Sequence, residues 1–372
     1  MSGEAQSFHQ DCIVLANELW WRGRVDRRRF LAGMAALGVV PVAARDARGQ
    51  AAREITMVNW GGIANQAFGR FYGEPFMAEN QGWRVVQDSS GPSLGRIRSQ
   101  VESGRVTWDL CDSSGSSSIQ LGGLNLVNRI DYSIVPKDVV IDPAFALEFG
   151  AAPYSFSSVL VYDTSKVPEA PKGWADFWDL RKFPGRRLLR RDALTSLDAA
   201  LMSMGRTKDN LYPIDVRAAL ARIREIRREL LFWTSGAESE NIMRTGEAVM
   251  GLLWHTRAKV LHEETQGRLT WTWDQGILQQ GIFVIPRGNP SGEMAQRCLA
   301  SMLSKPDQQV GLLQFLGNGP THKEAAARVP ENYRIFNPTD PANAAKQVVI
   351  GTSWWGENYI RTNQEYLDEI ST

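Results

Sequence analysis

Ile55-Thr-Met-Val-Asn-Trp-Gly-Gly62, Trp83-Arg-Val-Val-Gln-Asp-Ser-Ser90 and Asp109-Leu-Cys-Asp-Ser-Ser-Gly-Ser116 decide the fold. Each begins as a short, largely apolar run and ends in small or polar residues, and helical periods separate them. The pattern predicts strands over 55–60, 83–88 and 109–113, with helices over 64–80 and 94–103 between them. That order is βαβαβ, which implies an α/β lobe with a largely parallel sheet. In such sheets ligands sit beyond the carboxyl ends of the strands. Here those ends carry Asn59-Trp60-Gly61-Gly62, Ser89-Ser90-Gly91-Pro92-Ser93 and Asp112-Ser113-Ser114-Gly115-Ser116.

The alternation resumes downstream. Strands are expected over 154–162, 186–190, 248–254, 269–273 and 281–286, and helices over 174–178, 194–204 and 257–264. Val216, Leu220, Ile223, Ile226 and Leu230 follow Pro213 at helical spacing, with Arg217, Arg224 and Arg228 on other, solvated faces. The remainder reads as helix, ending over 354–370. No repeat and no long low-complexity linker interrupts the chain, so two α/β lobes between which it crosses more than once are expected.

Lys and Arg number 42 against 41 Asp and Glu, a formal net charge of +1 over 372 residues. A nucleic-acid binder draws its affinity from a basic surface, so that class is excluded. What basic clustering there is lies at Arg27-Arg28-Arg29-Phe30-Leu31, directly before an uncharged segment over 32–44. That segment is too short and too rich in Gly and Ala to span a bilayer, and it reads as an export signal of the twin-arginine kind. Cleavage is expected after Val42-Ala43-Ala44 or, preferably, after Gly49-Gln50-Ala51, leaving about 320 residues, enough for two lobes. The protein is then expected in the periplasm. Cys12 precedes the signal, and Cys111 and Cys298 are expected as buried free thiols. His9, His255, His262 and His322 are scattered, so neither a metal nor a cofactor is expected.

Few motifs suggest catalysis. Gly317-Asn-Gly319 opens like a dinucleotide fingerprint but lacks the third Gly. Asp192, His255 and a serine of 113–118 would make a triad only on paper, because no G-x-S-x-G frame exists. The same serines at a helix start can instead cap it or receive an oxygen ligand. Trp60 and Trp254 each end an expected strand, where an aromatic face could wall a cleft or pack in the core. Arg257 shares a loop with Trp254 and could fork onto a carboxylate or make a salt bridge. Asp192 follows a strand and could meet a cation or cap the next helix.

Taken together, Val58-Asn-Trp-Gly-Gly62, Gln100-Val-Glu-Ser-Gly104 with Trp108-Asp-Leu-Cys-Asp112, Gly173-Trp-Ala-Asp-Phe-Trp-Asp-Leu180, Phe183-Pro-Gly185, Arg244-Thr-Gly-Glu-Ala-Val-Met-Gly251, Trp254-His-Thr-Arg257 and Ile282-Phe-Val-Ile-Pro286 form an ordered set. From about Ile55 onward the chain resembles the periplasmic solute-binding proteins of ABC importers, in particular the spermidine/putrescine-binding branch. The resemblance implies a two-lobe periplasmic-binding fold of type II, each lobe a mixed sheet flanked by helices, with ligand in the cleft and hinge closure around it. The lobes would be 52–157 plus 282–330 and 158–281 plus 331–372, after a leader over 1–51. It implies a monomer that catalyses nothing and hands a small polar solute to permease and ATPase subunits. A receptor using the same cleft and an exported hydrolase are the alternatives. Ligand contacts are implied at Trp60, Gly61, Ser114, Ser116, Asp192, Trp254 and Gln279. The chain departs from the polyamine pattern at Gln279-Gln280-Gly281, which carries no acid, and at Thr195, where a Glu would stand. Trp254-x-x-Arg257 is similar to binders of amino-carboxylates, which implies Arg257 as a carboxylate anchor.

Overall fold

A computed structural model describes residues 53–371; the Arg27–Arg29 cluster, the segment after it and Cys12 lie outside the described residues. The strands are, in chain order, β1 (Arg53–Val58), β2 (Trp83–Asp88), β3 (Leu110–Ser114), β4 (Ala146–Leu147), β5 (Gly150–Asp163), β6 (Arg187–Arg190), β7 (Leu230–Trp233), β8 (Met250–Trp254), β9 (Leu269–Val284), β10 (Gly319–Pro320) and β11 (Val348–Val349). They join in the order β2-β1-β3-β9-β5-β8-β6-β7, with β4 and β10 on β5 and β11 on β9.

At one end β1 runs parallel to β2 and β3, and at the other β6 runs parallel to β7 and β8. The two parallel ends meet through antiparallel pairs, β3 with β9, β9 with β5 and β5 with β8. The sheet is therefore mixed rather than largely parallel. The βαβ units are right locally, and the long strands β5 and β9 carry the chain from one half to the other.

Each half has its own apolar core. Ile55, Met57 and Val58 of β1, Leu110 and Cys111 of β3 and 282–284 of β9 pack with Phe68, Tyr72 and Phe76. In the other half, alternate residues of one strand enter different cores. Leu160 and Tyr162 pack with Leu189, Leu252 and Trp355, whereas Val159 and Val161 pack with Leu188, Leu253 and Trp233. Side chains alternate across a strand, so two apolar faces require an unbroken apolar run, as Val159-Leu-Val-Tyr162 supplies. Cys111 and Cys298 are free and buried.

Between the halves the same long strands turn polar. Ser155 donates to the Gly319 carbonyl at 3.1 Å, Ser157 to Gln347 at 2.5 Å, and Gln279 to Ser158 at 3.1 Å, all of them buried. Buried polar groups are tolerated when they are paired, and here they form a belt where the chain crosses. This belt explains one error of expectation: the segments 269–273 and 281–286 are one continuous strand, because the glutamines between them face partners rather than solvent. Ladder irregularities relieve the length, one of them beside Pro153, which cannot donate to a ladder. A second error concerns Leu230, which opens β7 instead of closing the helix Val216–Glu225.

Candidate functional site

A cavity of about 290 Å³ lies where strand ends from both halves meet. Trp60, Ser93, Ser114, Ser116, Gln120 and Phe156 line it from one side, and Arg190, Asp192, Trp254, Gln279 and Tyr359 complete it. A smaller cavity of about 80 Å³ shares Trp60, Ser113, Phe156 and Trp254 with it and is otherwise lined by residues including Asp112, Thr256, Arg257 and Asn318.

Trp60 is held by its loop. Asn59 takes the Gly61 N–H at 2.7 Å and donates to Gln87 at 3.0 Å, which fixes the turn after β1. Gly61 adopts φ +77°, and it lines neither cavity. Gly91, at φ +82°, lies under the Trp60 ring, where an added Cβ would come within 3.3 Å. The ring stays 47% exposed, a broad apolar face left open at the cavity.

Ser114 caps the helix Gly115–Gly123 through the Ser117 N–H, and its hydroxyl sits 3.1 Å from those of Ser116 and Ser117. Ser93 precedes the helix Leu94–Glu102 with no side-chain cap bond. Two helix starts therefore lie at the cavity, each with peptide N–H groups that favour oxygen ligands.

Asp192 accepts the Leu194 N–H at 2.9 Å and the Tyr359 hydroxyl at 3.0 Å, and it lies 3.5 Å from the Arg190 guanidinium. Its expected freedom to meet a cation is thus largely spent on capping and pairing. Thr195 is buried and lines neither cavity. At Gly281 an added Cβ would run into the Tyr154 ring, so no carboxylate can stand there without displacing that tyrosine.

Of the two readings open for Arg257, the structure shows the salt bridge. It lies in the first turn of the helix His255–Glu264, it is 8% exposed, and its Nη1 reaches Glu240 at 3.2 Å. It faces the smaller cavity. The guanidinium on the main cavity is Arg190, which sequence reasoning passed over. Its carbon lies 5.2 Å from the Trp254 ring centre and 5.6 Å from that of Trp233, and those two rings meet edge to face at 5.1 Å. Beyond the 3.5 Å approach to Asp192 and this stacking, its fork of N–H donors remains open to the cavity. The signal was present: Arg190 is the last residue of β6, at a carboxyl end.

His255 cannot be the base of a triad. Its Nδ1 accepts the Ser157 N–H at 2.9 Å, its Nε2 bonds the Gly317 carbonyl at 2.7 Å, and burial pushes its pKa down to about 4. No group of His, Cys, Asp and Glu that could hold a metal occurs among the described residues.

Asp112 has a different electrostatic character. Burial pushes its carboxyl up to about 7, against the hydrogen bonds from Tyr154, at 2.6 Å, and from the Ser113 N–H. The unfolded carboxyl titrates near 3.9, so between about pH 4 and 7 the folded state holds more protons and stability falls as pH rises. Asp112→Asn should therefore gain on the order of 2 kcal/mol relative to wild type between about pH 5 and pH 8. Urea melts at both pH values would show it, and the comparison cancels the other buried titrating groups, such as His255 and Asp198, whose carboxyl burial pushes up to about 6. Parallel profiles would place the Asp112 titration in the ordinary range.

The fold is of the two-lobe kind found in periplasmic binding proteins. A family model described as bacterial extracellular solute-binding protein matches residues 72–345, and the chain belongs to that family. It is 26% identical over 334 residues to the gamma-aminobutyric acid-binding protein of Pseudomonas aeruginosa, covering 88% of this chain and 93% of that one. It is 31% identical to an ABC transporter substrate-binding protein from Bradyrhizobium japonicum of known structure, with TM-score 0.80, 86% of this chain and 100% of that one covered. AgtB from Agrobacterium tumefaciens R10, solved in complex with agropinic acid, is 26% identical with TM-score 0.78 over 86% of this chain and 99% of that one. The protein is accordingly a solute-binding protein and not an enzyme. Among the described residues no helix is long and apolar enough to cross a membrane.

Proposed function

We propose that this protein works in the periplasm as the substrate-binding component of an ABC importer and that its ligand is a small amino-carboxylate of the 4-aminobutyrate type. The observation that carries this reading is Arg190, a partly buried guanidinium stacked on Trp254 with its donors open to the main cavity. A carboxylate would fork onto Arg190, aided by the hydroxyls and helix starts at Ser93, Ser114 and Ser116. The ammonium end would lie against the faces of Trp60 and Trp254, with Asp192 and Gln279 on the cavity wall.

The names of two relatives support the class of ligand and of transporter. The apolar cores support lobes of 52–157 plus 282–330 and 158–281 plus 331–372, and export through the leader over 1–51 would place the protein in the periplasm. A polyamine fits less well: the position of Thr195 and the crowding at Gly281 leave Asp192 as the one carboxylate on the main cavity among the described residues, and Arg190 already sits beside it. Two ammonium groups would then be buried with one shared counter-charge.

A thermal-shift screen of the purified protein tests this. At about 100 times its Kd a ligand adds roughly 2.7 kcal/mol, so 4-aminobutyrate should raise the melting temperature by several degrees and putrescine should not. A shift with putrescine or spermidine alone would overturn the reading.

A further inference from the structure

The turn next to Asp192 is held in a conformation that its sequence disfavours. Leu194, at φ −58° and ψ 126°, and Thr195, at φ +69° and ψ −27°, form the two central positions of a type II turn at the head of the helix Ala193–Ser203. The second of these positions calls for Gly or Asn, and a β-branched residue is strained there. Thr195 does not hold itself in place, since its hydroxyl is buried with no hydrogen-bond partner among the described residues. The strain lies beside the ligand cavity. Asp192 and Leu194 line that cavity, and Asp192 is the acid next to Arg190.

A row of side chains holds the turn. Three successive peptide N–H groups each donate to a different side-chain oxygen: Ala193 to Asn363 at 2.9 Å, Leu194 to Asp192 at 2.9 Å and Thr195 to Asp198 at 3.1 Å. One helix, Thr352–Ser371, backs all three. Asn363 belongs to it, Tyr359 donates to Asp192 at 3.0 Å, and Trp355 donates to Asp198 at 3.4 Å. Trp355, Tyr359 and Asn363 are spaced four apart and so share one face of that helix.

Asp198 acts on the strained residue itself. It is wholly buried; one carboxylate oxygen takes the Thr195 N–H, and the other takes the Trp355 ring N–H and the Tyr212 hydroxyl. A hydrogen bond to an ionised carboxylate is about twice as strong as one to a neutral acceptor. Ionised Asp198 therefore offsets the strain at Thr195, and protonated Asp198 offsets less of it. Burial pushes this carboxyl up to about 6, against the hydrogen bonds from Tyr212, Trp355 and the backbone. Charged residues on the elements packed against the helix Ala193–Ser203 are engaged elsewhere: Arg187 with carbonyls of the 177–185 loop, Arg190 with Asp192, Arg222 with Ser203 and Glu225, Arg224 with Glu369, Asp176 with Lys182 and Asp274 with Lys346.

We propose that Asp198 is a positioning residue of the binding site, whose carboxylate holds the strained 194–195 turn beside Asp192, so that ligand affinity falls when Asp198 takes up a proton. The assignment rests on the amino-carboxylate reading of the main cavity. A relaxed turn moves Leu194 and its N–H away from Asp192, and Asp192 in turn loses its fixed place beside Arg190. The held turn favours the ionised form, so affinity is full above about pH 6 and declines as pH falls through that value.

Titration calorimetry of the whole protein with 4-aminobutyrate at about pH 7.5 and about pH 5 tests it, because both ligand charges persist across that range. Wild-type affinity should fall about three- to tenfold at the lower pH, the scale of half a hydrogen bond to a charged group. Asp198→Asn keeps the shape without the charge and should bind at the lower value at both pH values. Thr195→Gly removes the strain and should bind at the higher value at both. Added to Asp198→Asn, it should restore the lost affinity, a rescue that a residue acting only through packing would not show. Melting temperatures of the unliganded variants report whether each is folded, and the wild type with Thr195→Gly decides the question if Asp198→Asn does not fold. Burial also raises the Asp112 carboxyl, to about 7, so Asp112→Asn is the control and should keep the pH profile. Binding that is independent of pH in the wild type, a profile flattened by Asp112→Asn, or a double variant no tighter than Asp198→Asn overturns the positioning role alone. If the wild type binds no 4-aminobutyrate at either pH, the amino-carboxylate reading falls and the positioning role falls with it.

Discussion

Arg190→Ala should weaken the binding of 4-aminobutyrate by about ten- to hundredfold, the 1.5 to 3 kcal/mol of a hydrogen bond to a charged group. The loss follows from geometry. Arg190 stands at the end of β6, braced by the Trp254 and Trp233 rings, so its fork is held in place before a ligand arrives and little is spent on ordering it. Lysine would keep the charge but not the planar fork, so Arg190→Lys should recover part of the affinity. The same truncation removes the positive neighbour 3.5 Å from Asp192, and putrescine, which should not bind the wild type, should then bind measurably. Arg257→Ala is the contrasting variant. Its guanidinium is bonded to Glu240, which Arg244 also approaches at 3.6 Å, so the variant should lower stability by removing one of that acid's two cationic neighbours while changing 4-aminobutyrate affinity little. Titration calorimetry on the three variants decides it. Loss of binding at Arg257 and none at Arg190 would return the anchor to the residue first read from the sequence.

The contrast between the two arginines shows what the sequence could and could not reveal. Apolar runs ending in small residues located β1, β2 and β3 and their loops, because each run and the turn residues that close it are neighbours in the sequence. Trp60, Ser114, Ser116, Asp192, Trp254 and Gln279 all line the main cavity for the same reason: each stands at or beside a strand end or on the crossing strand. Pairings across the chain left no such trace. Glu240 lies on the helix Gly236–Thr245, which the sequence reading did not assign, and so the salt-bridge partner of Arg257 was not in view. Tyr359 comes from the helix Thr352–Ser371 to bond Asp192, 167 residues away, which local patterns cannot show. β7 was hidden because Leu230 extends the helical spacing of Val216 to Ile226, and a four-residue strand is too short to assert its own period. The polar middle of β9 read as a break because buried glutamines look like loop residues until their partners, Ser158 and Thr352, are in view.

Arg187→Ala should cost on the order of 3 to 5 kcal/mol of stability, the largest single-site loss expected here. Arg187 is wholly buried at the start of β6, where its Nε donates to the Phe177 carbonyl at 2.7 Å and its Nη1 to that of Gly185 at 2.7 Å. Its Nη2 bonds the Phe183 carbonyl as well. Burial pushes its pKa down to about 10, which leaves it charged at neutral pH, so the carbonyls of one loop solvate a cation in the interior. Truncation would empty a large volume and leave several carbonyls without donors in a dry core, and both penalties act together. Arg187→Met separates them, since it restores volume but no donor. Urea unfolding should place the Met variant between Ala and wild type, and a Met variant as stable as wild type would mean that Arg187 acts through packing alone. The consequence for function lies on the same strand. Arg190 is three residues along and Asp192 five, so a β6 no longer tied to the 177–185 loop would present the anchor less rigidly. In the Ala variant, 4-aminobutyrate affinity measured well below the unfolding midpoint should therefore fall as well, whereas a purely global loss of stability would leave the affinity of the folded fraction unchanged.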